Sequence, residues 1–384
     1  MGAFSYLAAS VPARMANFGA AVALPILAIQ QFDDVTIGGL LVAATLGPSV
    51  LAAPLAGVIL DRARRPGSVI AGAGLITATA LATASLIGPI PLPVVLLTLV
   101  AAGAATPFYM GGLSSFIISV VPDVRRAFAY DALSYNASAV AGPAVVAVCA
   151  SFLPAHVSLI VLAAAAALGS ACVRAIGLRP HAQARSSPFE AIKAGLQRIS
   201  GHRQLALVTA SYSLSQLGQG ALAVAAVALS LERAGSPSEG AALVTSFALG
   251  SLLGAIFETV CPTRRRPHVV MTASFFATGL LTLAAALDTG TVWTSIAIGL
   301  AGIFTAPATA AMLFLRNRHS PPHLRSQIFT VSAGLGGTAS ATGVALAASF
   351  SGFTGGTMSV VAIGLVWVAS ATLMIAYQED PACL

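Results

Sequence analysis

Long apolar stretches, each about 20 residues and separated by short polar segments, restrict this chain to a membrane-spanning fold. Helices of that length cross the roughly 30 Å hydrocarbon core of a bilayer, and closed barrels are the only alternative. Barrel strands would require segments of about ten residues with alternating polarity, and the sequence shows no such pattern. Charged residues make up only 8% of the 384 residues, whereas soluble proteins carry about 25%. The chain is therefore predicted to be an all-α integral membrane protein.

Twelve transmembrane helices account for these stretches. We predict spans at 8–30, 36–60, 68–88, 93–120, 128–152, 156–177, 204–230, 240–260, 268–287, 291–314, 326–350 and 357–377. The one sizeable polar stretch, 178–203, separates an N-terminal six-helix half (1–177) from a C-terminal six-helix half (204–384). The predicted architecture is thus two six-helix halves joined by a polar linker.

The linker is predicted to contain a short amphipathic helix on the cytoplasmic surface. Ser187 can cap its start, Pro188 suits the first helical position, and Glu190 completes a capping box. Apolar residues then recur at spacings of three, four and three: Phe189, Ile192, Leu196 and Ile199. A helix with one apolar face can lie in the membrane interface, and the alternative is an ordinary linker helix.

Basic residues indicate the orientation of the spans. If the N-terminus is cytoplasmic, every Arg and Lys except Arg14 and Arg233 falls in a cytoplasmic segment. Cytoplasmic loops of membrane proteins carry an excess of basic residues, so both termini are predicted in the cytoplasm. Lys193 is the single lysine among many arginines, and this bias, with the alanine content, suggests a GC-rich bacterial genome and hence a bacterial plasma membrane.

The two halves repeat one another at an offset near 199 residues. The repeat is carried by three matching patterns: Gly103-x-x-Thr106 and Gly302-x-x-Thr305, Pro122 with Arg126 and Pro321 with Arg325, and Gly57-x-x-x-Asp61 and Gly254-x-x-x-Glu258. Six spans per half mean that both halves enter the membrane from the same side. The repeat is therefore parallel, and it predicts two pseudo-symmetric halves.

A charged run between spans 2 and 3 carries a family resemblance. It reads Gly57-Val-Ile-Leu-Asp61-Arg62-Ala-Arg64-Arg65-Pro66. With the twelve spans, the charge bias and the repeat, this run resembles the loop signature of the major facilitator superfamily (MFS) along essentially the whole chain. The family usually has a Gly before the last Arg and more basic residues after it, where this chain has Pro66 and Gly67.

A looser likeness connects the chain with the bacterial drug- and siderophore-exporter branch of that family. It rests on Ala141-Gly142-Pro143 in span 5 and on the segment Glu190–Gly201. The branch typically carries Gly-Pro-x-x-Gly-Gly, whereas this chain reads Gly142-Pro143-Ala-Val-Val-Ala. The resemblance implies the MFS fold and secondary active transport by alternating access.

The resemblance also implies a cytoplasmic gate that latches the two halves in the outward-facing state. The residues that match the signature, with their inferred partners, are Gly57, Asp61, Arg62, Arg65, Asp131 and Glu258. Glu258 is the counterpart of Asp61 in the second half. A charge network in a partly desolvated crevice can have two arrangements and so can switch. The alternative is that the basic loop serves topology and insertion only.

Asp131 and Arg14 are a candidate ion pair. Asp131 is the sole acid inside the apolar spans of the first half, and Arg14 lies in span 1 at a similar inferred depth on the same side. An ionisable residue at such depth is costly and usually functional or paired. Asp131 either anchors the loop arginines, as the resemblance implies, or binds the coupling proton.

The substrate cavity should be lined by spans 1, 4, 7 and 10 and parts of 2, 5, 8 and 11, by resemblance. Polar candidates there are Asn17, Tyr109, Tyr135, Asn136, Tyr212, Gln216, Gln219 and Thr305. The three from span 7 share one helix face, which lipid would not tolerate; hydrogen bonding between helices is the alternative. Because no acid or base lies at mid-membrane depth, an amphipathic or largely neutral substrate is expected.

The predicted function is export of a small amphipathic molecule, such as a drug, siderophore or secondary metabolite. No element for ATP binding, no metal-ligand spacing and no catalytic residues are found, so the proton gradient is the expected drive, without a cofactor. Expected partners are the small-molecule substrate and membrane lipid, with no nucleic acid and a monomeric state. The alternatives are uptake of a neutral nutrient and a non-transporting membrane sensor or scaffold.

Overall fold

The computed structural model describes residues 2–32, 35–180, 188–234, 238–287 and 290–378. Within these ranges the α-helices are α1 Gly2–Phe32, α2 Val35–Arg62, α3 Pro66–Ala84, α4 Leu92–Pro107, α5 Leu113–Ser115, α6 Val124–Phe152, α7 Ala155–Ala175, α8 Pro188–Gly201, α9 Arg203–Ala234, α10 Ser238–Val260, α11 Pro267–Ala285, α12 Thr291–Ile303, α13 Thr305–His319 and α14 Arg325–Ile375. A π-helical turn, Phe108–Gly112, joins α4 to α5, and 3₁₀ turns lie at Ile117–Ser119 and Pro322–Leu324.

Twelve segments of the described chain are long and apolar enough to cross a membrane, which confirms the predicted all-α fold with twelve spans. Span 4 runs through the π-helical turn as Leu92–Ser115, and span 10 combines α12 and α13 as Thr291–His319. Span 11, Pro322–Phe350, begins in the 3₁₀ turn and continues into α14, and span 12, Gly355–Ile375, is the last part of α14. They are separated at Gly355, whose φ of 74° is a backbone conformation that glycine adopts without steric cost.

The helices cluster into two compact units. Unit 1 comprises Met1–Gly195 and Ser320–Gly334, and unit 2 comprises Leu196–His319 and Leu335–Leu384. Unit 1 therefore contains the predicted first half together with the beginning of span 11. The amphipathic linker helix is present as α8, whereas its predicted cap, Ser187, lies outside the described residues.

Small residues dominate the core of unit 1. Alanines and leucines of α1, α3, α4 and α7 form one buried cluster, in which Leu24, Leu81, Leu99 and Leu162 have essentially no exposed surface. Small side chains let membrane helices approach closely, and the packing that results holds them together where lipid supplies no hydrophobic driving force.

An aromatic pair organises the core of unit 2. The rings of Phe247 and Trp367 stack with centroids 5.9 Å apart, inside a cluster of alanine, leucine and isoleucine side chains. The indole Nε1 of Trp367 donates to the carbonyl of Ser215 at 3.1 Å. The buried N–H of the largest side chain thus has a partner, as a buried indole requires.

The glycines of the sequence repeat mark equivalent close helix crossings. A Cβ on Gly103 would overlap the carbonyl oxygen of Thr45, where α4 crosses α2. A Cβ on Gly302 would overlap the carbonyl oxygen of Phe247, where α12 crosses α10. This glycine pattern of the repeat therefore corresponds to one packing contact made once in each half.

Arg233, the one basic loop residue predicted on the outer side, binds the end of another helix. Its Nη2 donates to the carbonyl of Ala286 at 2.6 Å, and its Nη1 donates to Oγ1 of Thr294 at 3.0 Å. The adjacent Glu232 accepts hydrogen bonds from the backbone N–H of Gly356 at 2.5 Å and of Thr357 at 3.1 Å. A cation at a helix C-terminus and an anion at a helix N-terminus are both favourable, which explains why this position is charged.

Candidate functional site

A buried ion pair connects spans 1 and 5. Arg14 Nη1 lies 2.7 Å from Asp131 Oδ1, and neither side chain has exposed surface. The same Oδ1 accepts a hydrogen bond from the hydroxyl of Tyr6 at 2.6 Å. Arg14 Nη2 donates to Ser114 Oγ at 2.9 Å, and its guanidinium lies 3.8 Å from the ring centroid of Tyr135. A buried charge pair is tolerated only with such additional polar contacts.

The second carboxylate oxygen of Asp131 differs from the first in its hydrogen bonding. Oδ2 is buried and has no hydrogen-bond partner among the described residues. Among the described residues, Arg14 is the arginine that forms an ion pair with this carboxylate. Most buried polar atoms in proteins are hydrogen-bonded, and an exception on a membrane-embedded carboxylate is a candidate functional atom.

A chain of neutral polar groups continues from this ion pair. Arg14 Nε donates to the carbonyl of Tyr109 at 3.4 Å. The Tyr109 hydroxyl lies 3.2 Å from Thr77 Oγ1 and 3.1 Å from Thr106 Oγ1. Thr106 in turn lies 3.4 Å from Asn17 Oδ1. The predicted cavity residues of spans 1 and 4 are thus linked to the ion pair, and Tyr109 sits in the π-helical turn, a distortion that often marks functional sites.

Asn136, another predicted cavity residue of unit 1, bonds within its own helix. Asn136 is partly buried and donates to the carbonyl of Ala132 in its own helix at 2.8 Å. Sequence reasoning missed Tyr6, Ser114 and Thr77. A signal for Tyr6 was available, because Tyr6, Ser10 and Arg14 recur every four residues and so share one face of α1.

Asp61 binds the first turn of α14. Its Oδ1 accepts from the backbone N–H of Ser326 at 2.9 Å, and its Oδ2 accepts from that of Gln327 at 3.1 Å. The first N–H groups of a helix have no partner within the helix, and an anion there is favoured by the helix dipole. The carboxylate is buried, so this contact is made away from water.

Gly57, one helical turn before Asp61, makes that contact possible. A Cβ on Gly57 would overlap the Cα of Gln327 and lie 2.6 Å from Thr330 Oγ1. The glycine and the aspartate of the signature therefore face the same partner. The other signature residues differ in exposure: Arg62 is partly buried, and Arg65 is exposed at the start of α3.

Glu258 makes a contact of another kind, although it occupies the equivalent position in the repeat. It is buried and accepts from the backbone N–H of Thr263 at 3.0 Å and from Thr263 Oγ1 at 2.7 Å. Asp61 binds a helix that is distant in sequence, whereas Glu258 holds the loop that directly follows its own helix.

The polar residues predicted in unit 2 differ in exposure and in their contacts. Tyr212 and Gln216 are partly buried on α9, and Gln219 is exposed. Arg316, which was assigned to a cytoplasmic loop, is buried in α13 with its guanidinium 5.4 Å from the Tyr212 ring. Thr305 donates to Ser251 Oγ at 2.9 Å and so contacts span 8.

Three histidines that are scattered in the sequence meet around Tyr377 in unit 2. His319 Nε2 lies 2.7 Å from the Tyr377 hydroxyl, the His268 ring stacks on Tyr377 with centroids 5.1 Å apart, and the His202 and His319 centroids are also 5.1 Å apart. In the sequence the three lie far apart, each in a loop or near the end of a span. Within the described chain, no group of three His, Cys, Asp or Glu residues is arranged to hold a metal ion.

Comparison with known proteins places this arrangement in a family. The family model described as Major Facilitator Superfamily matches residues 6–215, more than half of the chain. A protein of Sinorhizobium fredii described as the uncharacterized MFS-type transporter y4rN is 28% identical over 399 residues, covering 99% of this chain and 96% of the relative.

Solved structures share the fold at low identity. A bacterial homologue of the iron transporter ferroportin, in an outward-facing state, aligns with a TM-score of 0.74 and 13% identity over 97% of both chains. The human organic anion transporter MFSD10 aligns with a TM-score of 0.72 and 14% identity over 97% of this chain and 95% of that one. The E. coli fucose:proton symporter FucP aligns with a TM-score of 0.71 and 14% identity over 98% of both chains. The chain belongs to the major facilitator superfamily and is a multi-pass membrane transporter.

Proposed function

We propose that this transporter exports a small amphipathic molecule by alternating access, driven by the proton gradient across a bacterial plasma membrane. The observation that carries the proposal is the buried pair of Arg14 and Asp131, in which one carboxylate oxygen has no partner among the described residues. A proton can bind Oδ2 of Asp131 without displacing a hydrogen bond. Protonation then removes the negative charge that holds Arg14, and so loosens span 1 from span 5.

The polar groups near the pair support a neutral or amphipathic substrate. Asn17, Thr106 and Tyr109 offer hydrogen-bond donors and acceptors without charge, and the charge of Arg14 is already balanced by Asp131. A strongly charged substrate would need a counter-charge to offset the cost of desolvation. The transporters of known structure compared above are named for different substrates and are at most 14% identical to this chain. They therefore do not indicate which substrate this chain carries.

The contact of Asp61 with the first turn of α14 supports the latch. Asp61 lies at the end of α2, and its two bonds go to backbone groups of a distant span. We propose that these bonds form in one state of the transport cycle and break in the other. The basic loops support an orientation in which this latch and both termini face the cytoplasm.

Proton movement in proteoliposomes tests both the coupling and the direction. With a pH-sensitive dye trapped inside, amphipathic compounds and neutral sugars are added outside in turn. An exchanger of protons for substrate makes the lumen more alkaline as substrate enters, whereas a symporter makes it more acidic. Acidification by a neutral sugar would replace export by nutrient uptake. No flux with any compound would favour the sensor or scaffold.

A pair of matched variants then tests Asp131. Asp131→Asn should still exchange substrate across the membrane but should move no protons and should not concentrate substrate. The control is Asp123→Asn, at an exposed acid that caps α6 and that Asn can replace as a cap. It should keep proton movement. Uphill transport at the normal level by Asp131→Asn would rule out the proton site.

A further inference from the structure

The first turns of α14 present polar side chains to the interior of unit 1. Beside the buried Ile328 and Phe329, four polar residues within the first eight of this helix have no exposed surface: Ser326, Gln327, Thr330 and Ser332. Burying polar groups costs free energy unless each finds a partner. Partners are present for Ser326, whose Oγ lies 2.9 Å from Ser115 Oγ, and for Thr330.

Gln327 lacks such partners. Its carboxamide is completely buried, yet neither Nε2 nor Oε1 makes a hydrogen bond to any described residue. Its backbone groups are paired: the N–H donates to Asp61 Oδ2 at 3.1 Å, and the carbonyl accepts from Thr330 Oγ1 at 3.1 Å. A carboxamide can donate two hydrogen bonds and accept two, and a buried group left unpaired costs the full penalty of its desolvation.

Two glycines allow neighbouring helices to approach Gln327 closely. A Cβ on Gly195, in α8, would lie 2.5 Å from Nε2 and 2.8 Å from Oε1 of Gln327. A Cβ on Gly57, in α2, would overlap the Cα of Gln327. The linker helix and span 2 can therefore approach Gln327 only because both positions lack a side chain. Gly195 of the linker helix thus lies against the side chain of Gln327, the residue whose backbone N–H binds Asp61.

We propose that Gln327 is a positioning residue for the transport cycle, whose unpaired carboxamide beneath Gly195 keeps the first turns of α14 weakly docked in unit 1. When these turns leave, water pairs both atoms of the carboxamide, so the docked state loses part of its advantage. Asp61 and the linker helix favour docking, and Gln327 opposes it. The inference rests on the proposed alternating-access cycle, in which this contact must form and break.

A cysteine in place of Ser332 measures how often the first turns of α14 leave unit 1, because its thiol reacts only when it becomes exposed. It is introduced into protein whose native cysteines are replaced by serine, and its reaction with a small maleimide is timed on purified protein in detergent, without substrate or proton gradient. A buried thiol reacts through the open population. Gln327→Met, of similar size and without polar atoms, should slow the reaction by roughly fivefold or more, since relief of one unpaired group shifts an equilibrium by about that factor.

Controls separate undocking from general loosening. Gln197→Met, at an exposed glutamine of α8, should leave the reaction rate unchanged. A second reporter, Ser170→Cys, lies in the buried core of unit 1 and should react at the same rate with and without Gln327→Met. Gln327→Leu is the second apolar variant, should Gln327→Met not yield folded protein. If the reporter thiol at position 332 reacts equally fast with glutamine and with either apolar residue at position 327, the proposal is overturned.

The contact with the linker helix is tested by a compensating pair. Gly195→Ala adds a methyl group where the carboxamide lies and should speed the reaction at position 332 several-fold. Combining it with Gln327→Ala removes the overlap and should return the rate to that of Gln327→Ala alone. Independent effects would show that the two residues do not touch in solution, and so would contradict the proposal. Because no gradient or substrate is present, these outcomes are separate from the test of proton-driven export.

Discussion

Replacing Asp131 with Asn tests the buried ion pair most directly. Asn keeps the shape of the side chain and can still accept from the Tyr6 hydroxyl, but it removes the charge that lies 2.7 Å from Arg14. Both side chains are fully buried, so the guanidinium is left without a counter-charge in a low-dielectric site. Breaking a buried pair in this way costs about 3–5 kcal/mol, and the free energy of unfolding should fall by that order.

The double variant Asp131→Asn with Arg14→Gln should recover part of this loss. Gln removes the stranded charge and retains donors for Ser114, and a neutral pair avoids most of the desolvation cost. Unfolding is measured on purified protein in detergent for the two single variants and the double variant. The resulting cycle gives the coupling energy between the residues.

The exposed pair of Arg126 and Asp123 is the matched control. Its atoms are 3.9 Å apart, and the side chains are 64% and 58% exposed. The corresponding substitutions Asp123→Asn and Arg126→Gln should change stability by less than about 1 kcal/mol, alone or together. If Asp131→Asn costs no more than this control, or if the double variant is no more stable than the worse single variant, the pairing does not stabilise the protein.

Three further predictions concern the gate, the topology and the end of unit 2 that is predicted to face outward. Asp61→Asn removes the negative charge that binds the start of α14, so transport should fall at nearly normal expression; transport at the wild-type rate would show that the signature serves topology only. A cysteine at Asp288 should be labelled from outside intact cells and one at Arg185 should not, although both lie outside the described residues; the reverse result would invert the orientation. Glu232→Ala removes the carboxylate that accepts from the N–H of Thr357 and should lower the free energy of unfolding by about 1 kcal/mol. An unchanged unfolding midpoint would show that this cap does not stabilise the protein.

The sequence alone determined the type and number of the spans. In a bilayer every backbone N–H and C=O must be paired within the chain, so apolar stretches of about 20 residues have essentially one solution, the helix. The repeated glycines, Gly103 and Gly302, were also readable as equivalent positions, and both prove to be close crossings. Position along a helix gives depth in the membrane, which is why Arg14 and Asp131 could be proposed as partners.

The tertiary structure decided which helix faces meet. Depth does not specify the direction in which a side chain points or which span lies opposite, and so Asp61 could not be assigned to the first turn of α14, 265 residues away. The contact of Gln327 with Gly195, the burial of Arg316 beside Tyr212 and the meeting of three histidines at Tyr377 depend on the same information. Apolar patterning specifies that a helix is buried in lipid or protein, and only the packing of small residues between helices selects its neighbours.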